Sequence, residues 1–268
     1  SAAAVAVGVV PGVVAAGDGS WHMPHRTLAT VLGELATDPP TGDYRVLWVG
    51  DPRVLPVAGW EYEPGIAFAV TDDGPLTVAD RWAGRPTTVE LEVATALRRI
   101  GDGVTLRGGR LLAPFAIRYV VVPLADGFNG TLDSPIAPPV GLADVLDDQL
   151  DLASPLTSPP NYLVFENAAY APTRAVLTPS GAAASELAGE EAGTRADLFG
   201  AVPFAVGAPD TGPATGDIPA GSLHVAIPYD ERWSLEVGGT RLEPRRSFGS
   251  NMAWDIPRSE EHTSELQS

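Results

Sequence analysis

Apolar residues recur along this chain with two periods, and the changes from one to the other mark out the expected elements. In residues 26–35, Leu28, Val31, Leu32 and Leu35 fall at helical spacing, and Asp38-Pro39-Pro40-Thr41-Gly42 ends the run. Tyr44-Arg45-Val46-Leu47-Trp48-Val49 reads as a buried strand closed by Gly50-Asp51-Pro52. Ile66-Ala67-Phe68-Ala69-Val70 is a second short strand, stopped by Asp72-Asp73-Gly74-Pro75. Over residues 88–100, Val89, Val93, Ala96, Leu97 and Ile100 share one helical face, with Thr87 or Thr88 and Glu90 as start signals. Ile117-Arg118-Tyr119-Val120-Val121-Val122-Pro123 is the strongest strand, because all but Arg118 of its first six residues are β-branched or aromatic.

Beyond a Pro-rich loop at 135–139, residues 142–150 read as a short helix. Tyr162-Leu163-Val164-Phe165-Glu166 and Ala175-Val176-Leu177 read as strands. Residues 179–221 are rich in Ala, Gly, Glu and Pro and are expected as a long loop or insertion. Three strands follow at 223–227, 233–237 and 241–243, joined by Pro228-Tyr229-Asp230-Glu231 and Gly238-Gly239 turns. The expected class is α+β: a mixed α/β part over 17–178, then antiparallel β-hairpins over 222–257 of the same domain.

Both ends stand apart from this pattern. Residues 2–16 are an uncharged run, AAAVAVGVVPGVVAA. That is shorter than the ~20 residues that span a bilayer, and it reads as the end of a truncated transmembrane helix. A signal-peptide apolar region or a buried soluble element are the alternatives. The sharp polar stop Asp18-Gly19-Ser20-Trp21 places a Trp where an interfacial aromatic would sit. Residues 258–268, RSEEHTSELQS, read as a sequencing adapter translated in frame and are set aside as an artefact.

Charge narrows the function classes. The chain carries 17 cationic residues, all Arg, against 34 Asp and Glu, for a formal charge of −17. That balance argues against nucleic acid as a partner and against a polybasic membrane anchor. With no Cys, thiolate metal sites, disulfides and Cys nucleophiles are excluded together.

Few residues form a chemical constellation. His22 and His25 with Asp18 lack a third ligand at a credible spacing, so no metal is expected. Asp147 and Asp151 are expected one helical turn apart beside Asp148, as a solvated acidic face rather than a calcium site. Asp72-Asp73-Gly74 is a turn. Gly101-Asp102-Gly103 and Gly108-Gly109 fit neither the dinucleotide nor the Walker spacing. No Ser lies in G-x-S-x-G, and His224, inside an apolar strand, is expected to be packed. Glu61 with Glu63, or Glu166 beside Asn167, are the available carboxylate pairs for glycosidase chemistry, expected by chance in so acidic a chain. Asn129-Gly130-Thr131 matches the N-glycosylation pattern without informing function. No catalytic residue and no cofactor is assigned.

Aromatic residues carry the remaining binding chemistry, since a flat ring grips the apolar face of a sugar. Trp48 lies inside a strand and is expected in the core. Trp60, Trp82 and Trp233 lie at loop or strand edges, where packing under loops is the alternative. If the chain has a glycan surface, Trp60, Tyr62 and Trp82 are its expected platform, with Asp51 and Arg53 as polar contacts.

Several runs together resemble a known family. They are Asp18-Gly19-Ser20-Trp21 after the apolar run, Tyr44 to Pro52, Leu55-Pro56 with Gly59-Trp60, and Leu111-Leu112-Ala113-Pro114 leading into 117–123. Val164-Phe165-Glu166-Asn167-Ala168-Ala169-Tyr170, Pro228-Tyr229, Trp233-Ser234-Leu235-Glu236-Val237-Gly238-Gly239 and Phe248-Gly249 complete the set. The chain resembles the C-terminal extracytoplasmic region of large multi-pass actinobacterial membrane glycosyltransferases of the family 2 type. The resemblance implies a non-catalytic module on the outer face of the cell membrane, serving cell-envelope glycan assembly. Its implied partners are the transmembrane part of its own parent chain and an envelope glycan or lipid-linked sugar. The family's acidic metal-binding transferase motif has no counterpart here, so no catalytic residue carries over. A secreted or membrane-anchored carbohydrate-binding protein without enzymatic activity is the alternative.

Overall fold

The computed structural model describes residues 42–73, 80, 82–126, 129–131, 133–154, 160–208 and 212–257, and the backbone of 263–267. The expected helix at 26–35 and the apolar run at 2–16 lie outside the described residues. The class is α+β, as the sequence pattern indicates.

The first layer is a six-stranded sheet, sheet A, ordered β2-β3-β1-β4-β6-β5. Its strands are β1 (Arg45–Gly50), β2 (Trp60–Glu63), β3 (Ile66–Asp72), β4 (Ile117–Pro123), β5 (Leu152–Ala153) and β6 (Tyr162–Asn167). β1 and β4 pair in parallel, and every other pair in the sheet is antiparallel. Both faces of β1 and β4 are buried, which is why their sequences run apolar without alternation.

Leu47, Val49, Val120 and Val122 pack under α1 (Thr88–Gly101), α2 (Gly108–Leu112) and α3 (Leu142–Asp147), while Val46, Trp48, Tyr119 and Val121 form a cluster on the opposite face. A β-bulge opposite Arg45 and Val46 adds Arg118 to β4. Its guanidinium lies 5.2–5.4 Å from the ring centroids of Tyr44, Tyr119 and Tyr170 and is paired with Glu166 at 3.0 Å.

α1 follows the expected pattern closely. Thr87 and Glu90 form a reciprocal capping box, and Val89, Val93, Ala96, Leu97 and Ile100 are buried. The acidic segment after it differs from expectation. α3 stops at Asp147, so Asp151 is not a turn further along the same helix. Asp151 is buried, and its carboxylate accepts from the N–H groups of Gly109 (2.8 Å) and Arg110 (2.9 Å), while Gln149 Oε1 accepts from Gly108 (2.8 Å). The start of α2 is thus capped from outside, since Arg107 makes no side-chain cap of its own. Gly109 is required because a Cβ there would collide with Asn167 and Asp151.

The second unit is a β-sandwich. Sheet B is ordered β13-β14-β10-β7-β8, and sheet C is ordered β12-β11-β15-β9. Their strands are β7 (Arg174–Val176), β8 (Val202–Pro203), β9 (Ala214–Asp217), β10 (Gly221–Pro228), β11 (Ser234–Val237), β12 (Thr240–Leu242), β13 (Arg245–Ser247), β14 (Asn251–Ile256) and β15 (Thr263–Gln267). Leu223, Val225, Leu235, Val237, Met252 and Trp254 fill the space between the two sheets. Two findings depart from the expected organisation here. Residues 179–221, expected as a loop, hold α4 (Pro179–Ser185), α5 (Gly189–Arg195), β8 and β9, and bury Ala184, Ala192, Leu198 and Phe204. β7, expected within the α/β part, belongs to sheet B. The adapter-like tail, set aside in sequence, supplies β15, which pairs antiparallel with β11 and β9. Backbone pairing asks little of sequence, which accounts for its place there.

The two units meet at a short 3-10 turn, Ala113–Phe115. The Pro114 carbonyl accepts from His224 Nε2 on β10 (3.0 Å) and from Asn251 Nδ2 on β14 (2.8 Å). With Nε2 donating, Nδ1 is the acceptor for the Ser247 hydroxyl at 2.8 Å. His224 is fully buried, as its apolar strand implied, and burial first, then the charges of Arg245 and Arg45, hold it down to about 4.

Two outcomes follow for stability. Asp151→Ala strips acceptors from two N–H groups at the start of α2 and is expected to cost roughly 3 kcal/mol in chemical denaturation. Asp147→Ala, exposed at the end of α3, should stay within about 0.5 kcal/mol. His224 falls from 6.5 to about 4 on folding, so its contribution is complete above pH 6.5 and is lost as pH drops toward 4. That fall is worth roughly 3 kcal/mol. Unfolding free energy measured at steps from pH 7 to pH 4 should decline over this window, and His224→Gln should flatten that part of the profile.

Candidate functional site

A cleft of about 510 Å³ opens where the end of β3, the start of α1 and the β10–β11 connection converge. Its lining includes Arg45, Thr71 and Asp72 from sheet A, Asp80, and Thr87, Val89 and Glu90 from the helix start. Ile227, Pro228, Tyr229, Asp230 and Trp233 close the other side. The site therefore spans the seam between the two units, and its residues are gathered from positions 45 to 233.

Each lining group is positioned by local structure. Arg45 leaves β1 and braces the seam: its Nε donates to Asp72 at 3.2 Å and its Nη1 to the Ala226 carbonyl. Glu90 is held by the capping box, accepting from Thr87 N at 2.7 Å and from the Thr87 hydroxyl. Thr71 is fixed by the buried indole of Trp48, which donates to its hydroxyl at 3.1 Å. Asp230 begins the turn after β10 and accepts from the backbone and guanidinium of Arg232, which hold its carboxyl down to about 2. Trp233 is buried, with its N–H group on the backbone bonded to the Asp230 carbonyl. Tyr229 is half-buried, and Arg246 lies 4.4 Å from its ring centroid. One face of that ring is thereby engaged and its orientation fixed.

The expected glycan residues are distributed differently. Trp60 and Tyr62 sit on one face of the edge strand β2, with ring centroids 5.7 and 6.0 Å from Phe68. Both pack against the core under the helices, and the Trp60 indole donates to the Gly84 carbonyl at 2.9 Å. Burial pushes the Tyr62 phenol up to about 12. Trp82 projects outward and is 73% exposed. Asp51 and Arg53 bond each other at the end of β1, with Arg53 lowering the Asp51 carboxyl through hydrogen bonds. Asn129 Nδ2 donates to the Arg53 carbonyl at 2.8 Å. None of these five residues lines the cleft.

The carboxylate candidates fall on two strands, Glu61 with Glu63 on β2 and Glu166 with Asn167 on β6. Glu166 lies on β6 and is bonded to Arg118, whereas Glu61 lies on β2 and accepts from Gly65 N. Asn167 serves the fold, donating to the Gly109 and Ile117 carbonyls. Gly108 and Gly109 direct their N–H groups to Gln149 and Asp151, so the chain's own side chains occupy that helix start. Among the described residues no group of three His, Asp or Glu side chains could hold a metal ion, and Asp18, His22 and His25 lie outside them.

In sequence, residues 228–231 read only as a turn. Its signal was an aromatic and an acid immediately before Trp233 in a connection that otherwise needs neither. Among the described residues no helix is long and apolar enough to cross a membrane. No family model matches this chain, and neither a curated protein nor a solved structure matches it.

Proposed function

We propose that this chain is a non-catalytic carbohydrate-binding module, and that the cleft at the seam is where it contacts glycan. The observation that carries this reading is the combination in that cleft of a held aromatic ring, Tyr229, with the carboxylates of Asp72, Asp80, Glu90 and Asp230. An aromatic face buries the apolar side of a pyranose or furanose, and carboxylates accept from its hydroxyls. Asp230 is held as an ionised acceptor by Arg232, the opposite of the raised carboxyl a general acid needs. That arrangement favours holding a sugar over cleaving it.

The wider setting rests on the resemblance in sequence. The module belongs, in this proposal, to the extracytoplasmic face of a polytopic actinobacterial membrane glycosyltransferase, where it orients an envelope glycan or lipid-linked acceptor. The runs that carry the resemblance coincide with β1, β4, β6 and β11. They therefore speak to the fold more than to the ligand.

Titrating the protein with neutral arabinan and galactan oligosaccharides, read by isothermal calorimetry, tests the assignment. Saturable binding is expected, weakened roughly tenfold by Tyr229→Ala, equivalent to about 1.4 kcal/mol. No saturable binding overturns the function. Loss with Trp82→Ala but not with Tyr229→Ala overturns the cleft and moves the site to the edge of sheet A.

A further inference from the structure

Sheet C holds a place one strand wide that the sandwich frames on both sides. β9 stands last in that sheet, and β15 is its ladder partner there. β11 pairs with β12 on one side and with β15 on the other. Residues 263–267 therefore run antiparallel between two strands that are not paired with each other. The two registers make shared rows: position 266 lies between Ala214 and Leu235, 265 between Thr215 and Glu236, and 264 between Gly216 and Val237.

The frame is built without its occupant. Ala214, Leu235 and Val237 are buried in the sandwich core, and a Cβ on Gly216 would lie 3.3 Å from the Phe204 ring. Rows 264 and 266 thus face the core, whereas Thr215, Asp217 and Glu236 are exposed. Packing through Ala214, Ile218 and Phe204 holds β9 in place and leaves its ladder to a stretch that stands apart in sequence from the rest of the chain. The outward rim is acidic, with Asp217 in register with position 263 and Glu236 with 265. On its far side Glu236 is in register with Arg241, whose guanidinium is paired with Glu243 at 3.6 Å. The chain's own segment brings a further acid, Glu265, to the Glu236 row, and like charges directly opposite disfavour pairing.

We propose that this slot is a docking site for an extended segment of another polypeptide, basic at its outward positions and apolar at its inward ones, and that residues 263–267 fill it in cis as a displaceable occupant. Main-chain bonds to two flanking strands supply affinity, and the inward rows select apolar side chains. The acidic rim, within the field of a chain at −17, selects lysine or arginine on the outside. The site is separate from the cleft, since none of its rows contains a cleft residue.

A fluorescein-labelled peptide, Ser-Lys-Val-Lys-Leu-Thr-Ser, is the probe, added to the full chain and to its Ser264→Pro/Leu266→Pro variant, whose tail cannot complete either ladder. Binding is read by anisotropy, and amide hydrogen exchange is followed at 214–217 and 234–237. The variant is expected to lose protection at both strands while β1 and β4 keep theirs, and to regain it with peptide. It should bind the peptide roughly tenfold tighter than the full chain does. Exchanging both lysines of the peptide for glutamates should weaken binding about fivefold, and N-methylating its central backbone amides should abolish it. Glu265→Lys in the full chain should raise protection at 214–217 and make the tail harder to displace. Unchanged protection at 214–217 in both variants, no binding by the proline variant, or equal binding of the N-methylated peptide each overturns the proposal. So does a full-chain dimer in sedimentation that the prolines dissociate, which assigns the slot to a second copy's tail. Where the prolines also unprotect β1 and β4, the full chain against Glu265→Lys decides, and equal peptide affinity for the two overturns it.

Discussion

Pro114 sits in a one-turn 3-10 segment, has no N–H of its own, and directs its carbonyl toward sheet B, where His224 and Asn251 both donate to it. All three groups are buried. A buried acceptor without donors, or buried donors without an acceptor, costs far more than the net worth of the bonds themselves. The α/β unit and the sandwich are therefore held to one relative position. Arg45 reinforces the same seam from β1, and the Thr173 N–H donates across it to the Asp43 carbonyl. The cleft is a product of this docking, because neither unit alone supplies both of its walls.

Much of the scaffold was legible because burial on two faces leaves a plain mark. β1 and β4 read as strands since both faces need apolar residues, and α1 since one face does and its cap residues are standard. The elements that escaped lack such marks. α4 and α5 are seven residues each and bury Ala and Gly, which give little contrast on a hydropathy scale. At Gly193 the reason for the small residue is direct, since a Cβ would run into Leu111. β14 (NMAWDI) hid because Asn251 faces the Pro114 seam while Met252 and Trp254 face the sandwich, so a buried polar residue broke the pattern.

The candidate site was the least legible part. Its residues are scattered from β1 to the turn after β10, and only the docking of the two units brings them together. Aromatic content alone pointed to Trp60, Tyr62 and Trp82, yet two of those rings pack against Phe68, a contact across neighbouring strands that depends on register. Asp151 shows the same limit for charge. Spacing placed it on a solvated face, whereas the helix ends four residues earlier and the carboxylate turns inward to α2.

The bulge at Arg118 acts as a phase shifter within β4. Ile117 lies on the helix-covered face, and so do Val120 and Val122, although an unbroken strand would have put Ile117 and Val120 on opposite sides. One inserted residue thus lets two stretches of the same strand, in different parity, serve one core. The residue that is spun out of phase is an arginine, received by three tyrosine rings and a glutamate. The length of the chain at this point matters more to the hydrophobic core than the identity of any neighbouring valine. A family of such sheets could exchange one branched residue for another freely along β4, but could not gain or lose a residue there without turning the remainder of the strand inside out.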